Sequence, residues 1–207
     1  MEIHPPHRPI YTVQEFLIAL ATITMGVLIA LSLEGLLEWN HYRVLVREAR
    51  ETIAREIADN KKDLDAGLAD PGRVKNIDTA LKFANDMLTA KKSDVNQINL
   101  VVNLAELTAA GWRSAERTGA LSRMDFGEVQ KFSRLYDFQE LFTAQQRRAL
   151  ERLAVATAML SGGDPHNSSS TDLEMFRQHV VALRGELVME EKLGARLSEL
   201  YAEALKH

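Results

Sequence analysis

Hydrophobic residues run without a charge through residues 16–33, near the start of the chain. The run, FLIALATITMGVLIALSL, is apolar on every side of a helix rather than along one stripe. At a rise of ~1.5 Å per residue it would span roughly 27 Å, close to the ~30 Å hydrocarbon core of a bilayer. The pattern therefore predicts a transmembrane helix over residues 14–40, preceded by a short tail over residues 1–13.

Two other interpretations of this run stay open from the sequence. A secretory signal would need a basic start and a small-residue cleavage site, and neither flank has that composition. A core helix would carry a polar face. The polar members of the run, Thr22, Thr24 and Ser32, are expected to return their hydroxyls to the helix backbone, which lowers their cost in lipid. Trp39 and Tyr42 lie where an aromatic belt would meet the membrane surface.

The orientation of a single span is set by flanking Lys and Arg residues rather than by acidic ones. The N-terminal side offers Arg8, and the C-terminal side offers Arg43, Arg47, Arg50 and Arg55. This asymmetry favours a C-terminal domain in the cytoplasm. The absence of cysteine fits either compartment, so display of the domain outside the cytoplasm stays an alternative.

Beyond the run, a helical period predicts that the same helix continues as a juxtamembrane stalk over residues 41–70. Apolar or small residues recur at steps of three and four, interrupted by Asn60. They are Tyr42, Val46, Ala49, Ile53, Ile57, Leu64 and Leu68. The intervening charges predict a solvated face that includes Glu51, Arg55 and Glu56. Pro71-Gly72 should end the helix.

Residues 71–207 are predicted to form a helical bundle that packs on the stalk. The helix after the turn should fold back antiparallel on the stalk. Residues 98–110 alternate as a strand would, but no partner strand is visible, so a helix continuing to Thr118 is favoured over an extended segment. Asp125 with Glu128, and Thr171 with Glu174, match capping boxes that open the last two helices. The expected fold class is all-α, with a transmembrane helix and stalk leading into an antiparallel, coiled-coil-like bundle.

Composition narrows the class of function. An apolar content of 46% and a net charge of −4 are typical of a folded domain and argue against disorder. A basic stripe that could neutralise phosphates is absent from the sequence, which argues against a nucleic-acid partner. The motifs contain no convincing catalytic, cofactor or metal constellation, so the chain is interpreted as a non-enzyme. The expected partners are the lipid bilayer and either a second copy or another membrane protein.

Two sets of residues are candidates for a functional surface. Small residues spaced by three and four in the membrane run would let two helices approach closely, and an acidic and aromatic group follows at the membrane boundary. These association candidates are Ala19, Thr22, Gly26, Ala30, Glu34, Glu38 and Trp39. A second hypothesis is a ligand-sensing bundle displayed outside the membrane. The residues expected to line its pocket are Trp112, Phe132, Tyr136 and Phe142. The alternative is that these four residues belong to the hydrophobic core and line no pocket.

Several short patches remain, namely Gly26-Val-Leu-Ile-Ala-Leu, then Glu34 and Glu38-Trp-Asn, with Trp112-x-x-Ala115 and Thr118-Gly-Ala-Leu further on. In these patches the chain resembles uncharacterised bacterial single-pass membrane proteins with an N-terminal anchor and a helical C-terminal domain. The resemblance implies a bacterial inner-membrane location. It implies no activity.

Overall fold

The computed structural model describes residues 13–70, 72–90, 92–95, 97–160 and 165–206. The N-terminal tail, apart from Val13, lies outside these ranges. Two 3₁₀ turns, Ala120–Arg123 and Pro165–Asn167, lie between helices, and the described residues contain no strand. The predicted all-α class is therefore confirmed. The α-helices are α1 (Val13–Leu68), α2 (Gly72–Ala90), α3 (Ala110–Arg117), α4 (Phe126–Leu160) and α5 (Ser170–Ala204).

The chain divides into two compact units, Met1–Glu48 and Ala49–His207, and the first holds the apolar run. There α1 contains an 18-residue window that is long and apolar enough to cross a membrane, and none of that window is buried. The hydroxyls of Thr22, Thr24 and Ser32 donate to the carbonyl four residues earlier at 2.7 to 2.9 Å, as expected. Since a core helix would be mostly buried, this exposure argues against that alternative.

In the second unit, α4 and α5 form an antiparallel pair. The Tyr201 hydroxyl donates to Gln139 Oε1 at 2.8 Å, and Gln145 Nε2 donates to the Glu186 carboxylate at 2.6 Å. The partner number on α5 falls as the number on α4 rises, which is the signature of opposite helix directions. The predicted antiparallel bundle is confirmed for this pair.

The expected return of α2 along α1 is wrong. Along α5, Ser198 bonds to Asp65 of α1, and Gly194 lies against Leu68 at the end of α1. Further down α5, Arg184 pairs with Asp78 of α2 at 3.3 Å. Both α1 and α2 therefore run antiparallel to α5, and α2 continues in the direction of α1.

The length of α5 explains this arrangement. Buried residues extend along α5 from Leu173 to Tyr201, so the segment of α1 in this unit covers only one end of its apolar stripe. At the junction, Asp70 Oδ1 accepts a hydrogen bond from the Gly72 N–H at 2.8 Å, which begins α2 after a short break. The other end of α5 is then covered by α2. This apolar cluster joins α2, α4 and α5 through Ile77, Ala80, Phe83, Ala84, Met87, Ala149, Ala156, Leu173, Phe176, Val180, Leu183 and Leu187.

An extended segment, residues 92–109 without residue 96, crosses this cluster, and we call it the strap. The predicted helix is wrong over residues 98–109 and right from Ala110 to Arg117. Along the strap, half-buried and exposed residues alternate as in a strand. The inner row packs against the helical core through Ile98, Leu100 and Val102, with Val95 ahead of them.

The starts of the two long C-terminal helices agree only in part with the predicted capping boxes. At α4, Asp125 Oδ1 accepts from the Glu128 N–H at 3.0 Å as expected, but the Glu128 carboxylate accepts from Arg50 on α1 instead of returning to its own helix. At α5, the cap is Ser169, whose hydroxyl accepts from the Asp172 N–H. The prediction of a start at Thr171 is wrong because the Ser169 hydroxyl caps the helix two residues earlier, and that hydroxyl also donates to the Asp172 carboxylate at 2.7 Å.

Candidate functional site

Glu56 lies on the inner side of α1 and is only 8% exposed. Its Oε2 accepts from the Gly111 backbone N–H at 2.8 Å, and its Oε1 accepts from the Trp112 N–H at 3.3 Å. The Tyr136 hydroxyl donates to the same Oε1 at 2.7 Å. The prediction that Glu56 belongs to a solvated face is wrong, because three protein donors replace water around its carboxylate.

This carboxylate also caps α3 from a different helix. Ala109, the residue before α3, has no side-chain oxygen that could accept from the first free amides. Glu56 accepts from two of those amides, and a negative charge there is favoured by the helix dipole. A short helix of eight residues is thereby fixed to α1.

Asn60 is the second inner polar side chain of α1 and is 1% exposed. Its Nδ2 donates to the Thr108 carbonyl at 2.7 Å, and its Oδ1 accepts from the Thr108 N–H at 2.9 Å. Gln139 Nε2 donates to the same carbonyl at 2.9 Å, and Gln139 Oε1 accepts from the Tyr201 hydroxyl. The amide of Asn60 thus pairs with the strap as a neighbouring strand would.

The amide of Gln146 repeats the pairing of Asn60 with the strap backbone, three residues earlier at Ala105. In the orientation that satisfies both groups, the Gln146 amide donates to the Ala105 carbonyl at 3.2 Å and accepts from the Ala105 N–H at 2.9 Å. We call Glu56, Asn60, Gln139 and Gln146 the polar clamp. All four are buried, and together they hold the end of the strap and the start of α3 against α1 and α4.

Burial controls the protonation of the two tyrosines in this network. Burial raises the pKa of Tyr136 above its ordinary value, and the Glu56 carboxylate raises it further. Burial likewise raises the pKa of Tyr201, against a smaller lowering by its hydrogen bond with Asn60. A tyrosine hydroxyl is protonated at neutral pH with its ordinary pKa, and the raised pKa values keep both hydroxyls as hydrogen-bond donors to the clamp at alkaline pH as well.

The structure brings together three of the four aromatic residues predicted to line a pocket or core. The Trp112 ring stacks on Tyr136 with centroids 5.3 Å apart, and Phe132 is tilted against Trp112 at 6.3 Å. Phe142 lies elsewhere on α4, fully buried toward Gly194 of α5. The three grouped rings form one aromatic cluster, which is joined to Glu56 through the Tyr136 hydroxyl and the Trp112 N–H.

Two hollows open on the second unit away from this aromatic cluster. One has a volume of about 430 Å³ and lies where the end of α1 meets α2 and α5. Its apolar floor includes Leu68, Ile77 and Leu187, and Arg184 and Glu191 stand among its lining residues. The second, shallower hollow is lined by Val74, Lys75, Asp78, Thr79 and Lys82.

The association candidates all lie in the first unit on α1. Gly26 faces open space, since an added Cβ would meet nothing within 4 Å. Thr22 and Ala30 are exposed, and Ala19 is partly exposed. After the apolar run, Glu38 accepts from the Tyr42 hydroxyl at 2.9 Å, and the Arg43 guanidinium lies 4.6 Å from the centre of the Trp39 ring. Glu34 is exposed one turn before Glu38.

The sequence signal for the polar clamp was weak. Asn60 was visible as a break in an apolar stripe, whereas Glu56 sits beside that stripe among exposed charges.

In the described ranges no group of three or more His, Cys, Asp or Glu side chains could hold a metal ion. The clamp can therefore be described chemically as a closed hydrogen-bond network that fixes the strap.

In comparisons with known proteins, no family model, no curated protein and no solved structure matches the chain.

Proposed function

We propose that this chain is a membrane-anchored helical scaffold that associates with itself or with another membrane protein. One observation carries the proposal. The apolar window of α1 is wholly exposed, whereas the second unit buries an apolar core of its own. A helix that is apolar all round and unburied needs lipid or other helices around it, because exposure of that much apolar surface to water is costly.

The proposed location is a bacterial inner membrane, with one span and the C-terminal unit in the cytoplasm. Its support is the cluster of Arg43, Arg47 and Arg50 after the apolar window, since basic residues near a span favour the cytoplasmic side. The short patches that resemble bacterial single-pass proteins support the same location.

The row Ala19, Thr22, Gly26 and Ala30 is the proposed contact surface between spans. Small side chains let helix backbones approach closely, so that dispersion contacts and weak backbone hydrogen bonds can form in lipid. The open space beside Gly26 leaves room for such an approach. Thr22 returns its hydroxyl to the Ile18 carbonyl, so it presents its methyl group to a partner helix.

The polar clamp supports a structural role for the second unit. Its donors and acceptors are used inside the protein, and the hydroxyls of Tyr136 and Tyr201 donate to it. These groups rigidify the domain that the span would hold at the membrane. We therefore propose no enzymatic activity.

The test is crosslinking in native membranes of the wild-type chain and two matched variants. Gly26→Leu adds bulk within the row, and Ala21→Leu adds similar bulk on the opposite side of the same helix. We expect a several-fold loss of crosslinked dimer for Gly26→Leu and wild-type crosslinking for Ala21→Leu. Equal crosslinking of all three chains would overturn the proposed contact row.

The second candidate function is a ligand-sensing bundle outside the cytoplasm that signals through a partner. The hollow of about 430 Å³ is the observation behind it, because its volume is within the range of ligand sites and both apolar and charged side chains line it. It requires the opposite orientation. Reporter fusions after His207 discriminate the two functions, since an external C-terminus would support sensing and a cytoplasmic one would support the scaffold.

A further inference from the structure

The strap carries an unusual composition for an exposed, extended segment. Residues 95–105, VNQINLVVNLA, contain no charged residue and no proline. The inner row of aliphatic side chains packs on the helices. The outer row is exposed and neutral, and it consists of Gln97, Asn99, Val101 and Asn103.

The middle of the strap has backbone groups without a protein partner. Within the described part of the chain, the N–H and C=O groups of residues 97–104 make no hydrogen bond to any backbone or side-chain group. The backbone is held near its ends, where Ser93 accepts from the Val95 N–H and the polar clamp binds Ala105 and Thr108. Between them, Asn103 is held through its side chain, whose Nδ2 donates to Asp70 Oδ2 at 2.7 Å. The extended backbone is thus fixed at both ends and open to new hydrogen bonds between them.

Exposed strand edges are usually protected in natural proteins. Lysine, proline, bulges or a covering element prevent another chain from pairing with the free N–H and C=O groups. The strap has none of these devices between residues 95 and 105. Apolar surface also lies nearby, because Val101 is 51% exposed and Leu150, one turn beyond Gln146 on α4, is 46% exposed.

We propose that the strap is a docking edge to which a partner protein adds an uncharged, extended segment as a β-strand. The added strand pairs with the backbone N–H and C=O groups that residues 97–104 present along one edge, those of every second residue. Every second side chain of that strand is apolar and covers Leu150. The proposal adds a second contact surface to the scaffold, for a partner protein, and therefore rests on the proposed function.

A second copy of the chain fits this edge poorly. Paired strands lie ~4.8 Å apart, whereas packed helices need about 8–10 Å between their axes. Each strap already lies on its own helices, so two straps in an antiparallel pair would force two helical layers into the space of one. A free extended segment has no such layer beneath it.

The test is amide hydrogen exchange of the full chain in lipid nanodiscs. The probe is an acetylated and amidated peptide with the sequence of residues 95–105, and the control peptide carries N-methyl groups at alternate positions so that its pairing edge lacks donors. Free protein should exchange residues 97–104 rapidly and Ala105 and Thr108 slowly. Saturating probe should slow every second amide of residues 97–104 by about tenfold, and the N-methylated peptide should not.

Three results would overturn the docking edge. They are slow exchange of residues 97–104 in the free chain, no slowing at saturating probe, or slowing that appears with rising protein concentration alone. The last result would assign the edge to a second copy. Dimer crosslinking that depends on Gly26, measured on the same nanodiscs, reports the proposed scaffold separately, so failure of one proposal is distinguishable from failure of the other.

Discussion

Replacement of Glu56 by alanine should be among the most destabilising changes at a charged residue of this chain. The substitution removes the acceptor of three hydrogen bonds at 2.7, 2.8 and 3.3 Å and leaves the amides of Gly111 and Trp112 and the Tyr136 hydroxyl in a buried space. Each buried donor without a partner costs ~1–3 kcal/mol. Because water can enter the vacated volume, we expect a total loss of about 3–5 kcal/mol in the free energy of unfolding.

The assay is thermal and urea unfolding of the full chain in detergent, followed by circular dichroism. For a domain of this size, a loss of about 3–5 kcal/mol lowers the melting temperature by roughly 6–20 °C. The matched control is Asp59→Ala, an exposed acidic residue on the same helix, which should stay within ~0.5 kcal/mol of wild type. Glu56→Gln should lie between them, because its amide nitrogen cannot accept from a backbone N–H. Equal stability of Glu56→Ala and Asp59→Ala would refute the clamp.

Three further predictions concern pH, packing and capping. The raised pKa of Tyr136 means that the unfolded chain loses this phenolic proton above about pH 10 while the folded chain keeps it, so Tyr136 should lower the stability above that pH by up to ~1.4 kcal/mol per pH unit. Tyr201 adds a slope of the same sign in both chains, so the stability of Tyr136→Phe should fall less steeply than that of wild type. Identical alkaline urea titrations of the two chains would refute this. Gly194→Ala places a Cβ 2.8 Å from Leu68 Cδ1 and should lower the free energy of unfolding by about 1 kcal/mol. In Gly185→Ala the added Cβ meets nothing within 4 Å, so this variant should be more stable than wild type by ~0.5–1 kcal/mol. Thermal melts in which both variants shift the melting temperature in the same direction would contradict this. Ser169→Ala should cost ~1 kcal/mol and Thr171→Ala much less, and the reverse order in melts would restore the start of α5 to Thr171.

The long helices were predictable because their signals are local. Asp125 predicted the start of α4, and an unbroken helical period predicted its end near Leu160. Helix α1 begins at Val13 and ends at Leu68, within two residues of the expected end. Hydrophobic period and capping chemistry act within one or two turns, so one sequence contains all the information needed.

The strap and the clamp were missed because their partners are distant in sequence. The alternation of Ile98, Leu100 and Val102 indicated an extended segment, but it lacks a partner strand. In the structure its partners are a helical surface and the side chains of Asn60 and Gln146. The direction of α2 was missed for a similar reason. It depends on how much of the apolar stripe of α5 is left uncovered by α1, and no local pattern near Pro71 contains that information.

The central claim, that the apolar window of α1 lies in a bilayer with the C-terminal unit in the cytoplasm, is tested most directly by cysteine accessibility. The chain contains no cysteine, so Ile23→Cys in the window and Asp59→Cys in the second unit are each the sole thiol. With a membrane-impermeant maleimide, we expect neither to react in intact cells. In inverted membrane vesicles only Asp59→Cys should react, and Ile23→Cys should react only after detergent. Reaction of Ile23→Cys in vesicles as fast as Asp59→Cys would contradict the span, and reaction of Asp59→Cys in intact cells would contradict the orientation.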